Sequence, residues 1–205
     1  MTPMRPILIP NPVFILVALV AMSVAIMQPA RAADAPDDFI RTVGDNAIKS
    51  LTNKEISQQE REDRFRKILN DTFEIKLIAR FTLGRFWRRA SEEQQKEYTG
   101  LFEDFIVKAY AARFADYKGE DFVVGKVRSI NDRDNLVQSE VVLTDGREIP
   151  VHWRVRNGKK LKIVDVLVEG VSMAITQRDE FSAIISQNGG KVDGLLAALR
   201  KKTGK

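Results

Sequence analysis

The chain has 205 residues, 33 Lys and Arg against 28 Asp and Glu, a net charge of +5, one histidine and no cysteine. That length supports one domain with a substantial core. The composition excludes disulfide frameworks, thiolate nucleophiles, thiolate metal centres and histidine-rich metal sites, and charge of both signs mixed along the chain is not the basic stripe of a nucleic-acid binder.

The first 32 residues have the layout of a secretory signal peptide. Arg5 supplies a positive start, Val13 to Met27 is uncharged and apolar, Pro29 breaks the run, and Ala30-Arg31-Ala32 is an A-x-A site before Ala33. The apolar run is short for a membrane span, which takes about 20 residues. No cysteine follows the cut and no twin-arginine pair precedes the run, which points to the general secretory route without a lipoprotein anchor. Cleavage after Ala32 leaves one domain, 33–205. The net charge then falls from +5 to +3, because Arg5 and Arg31 depart with no acid.

The mature chain reads as helices, then strands, then helices. Asp37 or Asp38 caps a first helix with Phe39, Val43, Ala47 and Leu51 at helical spacing. Ser57 and Glu60 form a capping box before a helix carrying Phe65, Ile68 and Leu69. Ile75 to Leu83 is a third helix, stopped by Gly84. Arg85 to Arg89 is an aromatic and basic link. Ser91 and Gln94 form a second capping box and open the longest helix, to about Phe114. Four strands follow at Phe122–Ile130, Leu136–Thr144, Arg147–Arg156 and Lys160–Glu169. Asp145-Gly146 and Asn157-Gly158 are hairpin turn signals, so the strands form an antiparallel meander. Ser172 caps a helix ended by Asn188-Gly189-Gly190. A last helix runs from Val192 to Lys202. The class is α+β, with four antiparallel strands between N- and C-terminal helices.

Gly170-Val171-Ser172-Met173-Ala174 is one residue short of the G-x-S-x-G turn that presents a catalytic serine between strand and helix. A serine nucleophile needs a base oriented by a carboxylate. His152 is the only histidine and lies upstream, out of phase with Val151 and Trp153 and in phase with Arg154 and Arg156 on a solvated sheet face. Ser172 therefore reads as a helix N-cap. Asn131-Asp132-Arg133-Asp134-Asn135 lacks the glycine and distal glutamate of a calcium loop and reads as a turn. No phosphate-binding glycine pattern occurs, so no cofactor or metal is expected. Phe81, Phe86 and Trp87, followed by Phe102, Phe105, Tyr110, Phe114 and Tyr117, make either an ordinary core or the wall of an apolar cavity, and such a cavity suits an apolar ligand.

Phe73 to Phe122, FEIKLIARFTLGRFWRRASEEQQKEYTGLFEDFIVKAYAARFADYKGEDF, closely resembles the MlaC-like family, also called toluene-tolerance or Ttg-type proteins. VHWRVRNGKKLKIVDV and VEGVSMAITQRDEF resemble the family's strands and second signature. The likeness covers nearly all of the mature chain. These are periplasmic phospholipid-binding proteins, and the resemblance implies a strongly curved sheet wrapped by helices with a deep apolar pocket between them. It implies a soluble periplasmic carrier, a monomer and not an enzyme. Such a carrier would take phospholipid between an outer-membrane lipoprotein complex and an inner-membrane ABC transporter complex with a lipid-binding ring subunit, maintaining outer-membrane lipid asymmetry. One branch of the family accompanies hopanoid biosynthesis, so a hopanoid is the alternative ligand. Where the family has an acidic residue before its strand tryptophan, this chain has His152, which alters an exterior surface.

The expected lipid-binding residues are Val141, Val151, Trp153, Val166 and Val168 on the inward strand phase, and Phe105, Ile106, Ala109 and Tyr110 on the long helix. Trp87 on the aromatic link, and Val171 and Met173 at the turn, complete the set. The rival readings are a weak serine esterase using Ser172 and a binder of small polar solutes, the latter disfavoured by a chain too short for two α/β lobes.

Overall fold

The computed structural model describes residues 35–205; the leader and its cut after Ala32 lie outside them. Among the described residues no helix is long and apolar enough to cross a membrane. These residues form six α-helices and one five-stranded sheet in the expected order: α1 (Pro36–Leu51), α2 (Gln58–Thr72), α3 (Ile75–Leu83), α4 (Glu92–Ala111), β1 (Asp121–Ser129), β2 (Asp134–Val142), β3 (Glu148–Arg156), β4 (Lys162–Val168), β5 (Val171–Ser172), α5 (Met173–Gln187) and α6 (Val192–Thr203). The sheet is antiparallel in sequential order, β1-β2-β3-β4-β5.

Local chemistry explains most boundaries. Ser91 and Gln94 make the full reciprocal capping box at the start of α4. At α2 only half of the box forms: Ser57 accepts from the Glu60 amide, while Glu60 turns to Arg64 at 2.6 Å. Gly84 closes α3 with φ +58 and opens a 3-10 segment through Arg88. The first cap differs from expectation. Ala35 occupies the N-cap and Pro36 the first helical position, which suits its fixed φ and missing amide proton; Asp37 and Asp38 lie in the first turn, where they complement the helix dipole.

The fifth strand is the main addition to the expected topology. Val168 pairs with Val171 and Leu167 with Ser172, so Glu169-Gly170 is a two-residue hairpin turn. Both residues have positive φ, +50 and +81, the pattern of a type I′ turn. Gly170 adopts it freely, whereas Glu169 adopts it at a cost of about 1 kcal/mol. In β1 the register shifts between Val124 and Val127, so Gly125 and Lys126 together oppose one partner residue as a β-bulge.

Two clusters form the interior. The larger joins α2 to α6 around Leu83, Phe86, Tyr98, Phe102, Ile185 and Leu196. Phe181 stands edge-on to Tyr98 and Phe102, with centroids 6.0 and 6.3 Å away. The smaller packs Ile40 and Val43 of α1 on Val137, Val155 and Ile163 of the sheet. Phe73 touches both. Gly44 sets how closely α1 and β1 approach, since a Cβ there would lie 2.4 Å from the Phe122 ring.

On the opposite sheet face, Asp134 is 1 % exposed and accepts from Arg154 and Arg156 at 2.8 Å each. The Asn131-to-Asn135 stretch is thus more than a turn: Asn131 Oδ1 accepts from the amides of Arg133 and Asp134 and delivers the carboxylate to β2. The bond from Arg156, reinforced by Arg154 against the upward push of burial, lowers the Asp134 pKa to about 2.

Gly100 on α4 has open space around it, so Gly100→Ala should stabilise the protein by about 1 kcal/mol through helix propensity. Gly44→Ala should lose that gain to the Phe122 clash, which costs about 1–3 kcal/mol. Paired urea melts read the contrast. Because the folded pKa of Asp134 is depressed, its contribution is complete above the unfolded value and disappears as pH falls through about 2. It should amount to about 2 kcal/mol, so Asp134→Asn should lose that much at neutral pH and flatten the acid limb of the stability curve.

Candidate functional site

Between the helical layer and the inner sheet face lies an apolar cavity of about 280 Å³. Helix α1 contributes Val43 and Ala47, α2 contributes Phe65, Ile68 and Leu69, and α3 contributes Ile75, Ile78 and Thr82. Ile106 and Tyr110 of α4, with Phe114 just beyond it, form another wall. Trp153 of β3, Val166 and Val168 of β4, and Met173, Ala174 and Gln177 of α5 close the rest. Tyr110 is 37 % exposed and marks the rim, with the Arg113 guanidinium 5.4 Å from its ring centroid.

Most polar groups in this lining are bonded within the protein; the Tyr110 hydroxyl, at the exposed rim, has no protein partner among the described residues. Thr82 Oγ1 lies 2.7 Å from the Tyr98 hydroxyl and also donates to the Ala79 carbonyl. Gln177 donates to Glu180 at 3.0 Å. Asp165 accepts from the amides of Val166 and Ala174 and from the Ser172 hydroxyl at 2.6 Å. The Trp153 indole donates to Ser139 Oγ at 2.9 Å, and that hydroxyl donates to the Val151 carbonyl. The interior therefore offers contact area and few free hydrogen-bonding groups.

Of the expected lining residues, Ile106, Tyr110, Trp153, Val166, Val168 and Met173 meet at this cavity. The others lie off it. Phe105, next to Ile106, points about 100° around α4 from the lining face and packs on Phe181 at 6.0 Å. Trp87 packs on the helical cluster and lines a shallow groove on the outer side of α3. Ala109 belongs to another face of α4, Val141 sits toward the end of β2 opposite Phe122 and Ile149, and Val151 is likewise outside the lining. Val171 is 55 % exposed, because the β5 hairpin turns it outward. Phe65, Ile68, Leu69, Ile75, Ile78, Val43 and Ala47 were missed as lining; their only sequence signal is apolar helical spacing, which does not say which helices cover a sheet.

The serine question has a geometric answer. Ser172 caps α5, accepting from the Ile175 amide at 3.1 Å while donating to Asp165. His152 pairs across β4: His152 opposes Leu167, and Leu167 opposes Ser172. Two strand spacings, about 10 Å, and a leucine separate serine from histidine, whereas a base must stand within about 3 Å of the proton it takes. His152 Nδ1 instead accepts from the Ser139 amide at 3.4 Å. The arrangement is a helix cap with a carboxylate anchor.

Three comparisons bear on this geometry. The sequence pattern of a family described as MlaC protein matches residues 41–201. A toluene tolerance protein of Pseudomonas putida, ttg2D, is 22% identical over 168 residues, covering 79% of this chain and 78% of that one. A solved structure of a phospholipid-binding protein from Ralstonia solanacearum in complex with a phospholipid aligns with a TM-score of 0.75 at 22% identity, covering 84% of this chain and 98% of that one. At that identity the structural match establishes a shared fold, an α+β sheet flanked by helices.

Ser172→Ala should cost about 0.5–2 kcal/mol, the usual range for an N-cap, and leave occupancy of the cavity unchanged. Chemical denaturation and ligand extraction on the same samples read the two effects separately.

Proposed function

The chain belongs to the MlaC protein family, and from that premise we propose that it carries phospholipid through the periplasm with the acyl chains held between sheet and helices. The observation that carries the proposal is the cavity: its lining is apolar, and of its polar groups Thr82, Trp153, Asp165 and Gln177 bond inside the protein while Tyr110 stands at the exposed rim. A two-tailed lipid cannot cross water alone, since its hydrocarbon is opposed by about 25 cal/mol per Å². A carrier must cover the tails and can leave the head in solvent. Tyr110 and Arg113 at the rim are the side chains placed to meet an anionic head group.

At about 280 Å³ the cavity lies just below the range for small-ligand pockets, about 300–1,000 Å³. Acyl chains therefore enter by displacing half-buried side chains such as Phe65, Ile68 and Met173. The unbranched Met173 suits a wall that meets tails of different length. Selectivity then falls on tail number and volume more than on head group. Loading and unloading are assigned to an outer-membrane complex and an inner-membrane ABC transporter complex, consistent with export by the N-terminal leader. A hopanoid is the second ligand reading, because a rigid apolar ring system makes the same demands on the lining. The esterase reading finds no support in the Ser172 geometry.

Native mass spectrometry of protein purified without detergent, followed by solvent extraction, tests the proposal. Near-stoichiometric two-tailed phospholipid is the expected result. A hopanoid would replace the ligand, and a protein that stays empty after mixing with phospholipid vesicles and membrane partners would overturn the carrier reading. Met173→Trp or Val166→Trp, each adding a bulky ring to the wall, should reduce bound lipid at least several-fold with the fold retained by circular dichroism.

A further inference from the structure

Helix α3 uses both of its sides. Ile75, Ile78 and Thr82 line the cavity. The other side presents Lys76, Leu77, Arg80 and Phe81, all exposed, within an arc of about 140° at the helical period. Leu77 is 38% and Phe81 41% exposed, which is high for side chains of their size. Lys76, Leu77 and Arg80 share a shallow surface groove with Trp87 and Lys96.

The charge of this face is one-sided. From Ile75 to Ser91 the chain carries Lys76, Arg80, Arg85, Arg88 and Arg89 and no acid. None of these five cations joins an ion pair among the described residues. Arg85 and Arg89 instead flank the Phe86 ring, 4.9 and 5.8 Å from its centroid. The one acid in the groove, Glu103, is occupied by Arg66 and Asn70 at 2.8 and 2.9 Å. Arg178 of α5 lies over Phe81, 4.9 Å from the ring centroid, and is 3.7 Å from Asp179. Glu92 and Glu93 open α4 beyond the cationic run.

An acidic protein surface would match the charge alone. It would leave Leu77 and Phe81 exposed among the cations without a reason, and it would not call for the half-buried indole of Trp87, whose N–H has no protein partner among the described residues. Cations interleaved with apolar side chains and an indole at the boundary suit the head-group layer of a bilayer, where apolar groups insert, indoles bridge and cations meet anionic phosphates. We propose that the outer face of α3 and the 3-10 segment after it dock on an anionic membrane surface, with Leu77 and Phe81 entering the head-group layer. Docked this way, the protein brings the helix that walls its cavity against the bilayer. The proposal stands apart from what fills the cavity, since it concerns a different face and a different readout.

Flotation of the purified protein with vesicles tests it. Phosphatidylcholine vesicles containing phosphatidylglycerol should carry the protein at low salt, and phosphatidylcholine alone should carry far less. The R80Q/R85Q/R88Q variant, changing only exposed side chains, should lower partitioning about 100-fold. The L77S/F81S variant should keep the low-salt attraction and lose the part that persists at high salt. Circular dichroism and thermal melts confirm that both variants fold. Wild-type protein that ignores anionic vesicles at low salt, or a triple variant that partitions undiminished, overturns the proposal. If vesicles are ignored and the triple substitution instead abolishes attachment to an acidic protein, the face is a protein-docking surface and the membrane assignment is wrong.

Discussion

The arrangement depends on how β4 is fastened. At one end its Ile163 carbonyl accepts from the Glu74 amide at 2.9 Å, and Lys162 reaches the Asn70 and Asp71 carbonyls at 3.0 and 2.9 Å. These bonds fix the junction of α2 and α3 to the sheet. Two residues further along, Asp165 holds the start of α5 through the Ala174 amide and the Ser172 hydroxyl. One strand is thus tied to helices on both sides. Just past the second tie, Val166 and Val168 turn toward the helices without being sealed by them. The layers are held together along a line and remain apart next to it, and that separation is the cavity.

Such a gap has an energetic consequence. Unfilled apolar volume destabilises by roughly 24 cal/mol per Å³ where a core cannot collapse, so a cavity of this size is tolerated only if the rest packs well. The helical cluster meets that need, with Leu83, Ile185 and Leu195 fully buried and three aromatic rings meeting at Phe181. Buried charge is fully partnered: Arg61 donates to the Leu51 and Asn53 carbonyls, and Asp104 accepts from Arg66 and from the C-terminal Lys205. With no cysteine in the chain, these contacts hold the fold without any covalent cross-link.

Much of this was legible because it is written in short-range chemistry. Capping residues, Gly84 and the two turn dipeptides placed the helices and the hairpins. The fifth strand was hidden because its turn uses Glu169, a residue with no preference for positive φ, so Gly170 looked like a single bend into a helix. Asp134 was hidden for a related reason: nothing in the Asn131-to-Asn135 stretch announces that two arginines about twenty residues later on β3 will close over it. In the site, alternation along β3 and β4 put Trp153, Val166 and Val168 on the correct side. Helix α4 has two apolar faces, and periodicity alone cannot tell Ile106, at the cavity, from Phe105, in the helical core. Which helices lie over the sheet is a long-range property, and so the contribution of α1, α2 and α3 emerged only from the fold.

The two sheet edges are treated differently. β5 is two residues long and leads straight into α5, whereas β1 is nine residues long, with Val123 and Val127 exposed. A straight strand of that length is a template for addition of a strand from another molecule. The bulge at Gly125-Lys126 interrupts the spacing of its outward amides and carbonyls and places a positive charge at the break. Two copies therefore cannot align their edges over more than a few residues without bringing lysines together. A deletion that restored perfect pairing with β2 would make the single molecule look more regular while exposing a flat edge, and the same change that tidied the sheet would invite polymerisation.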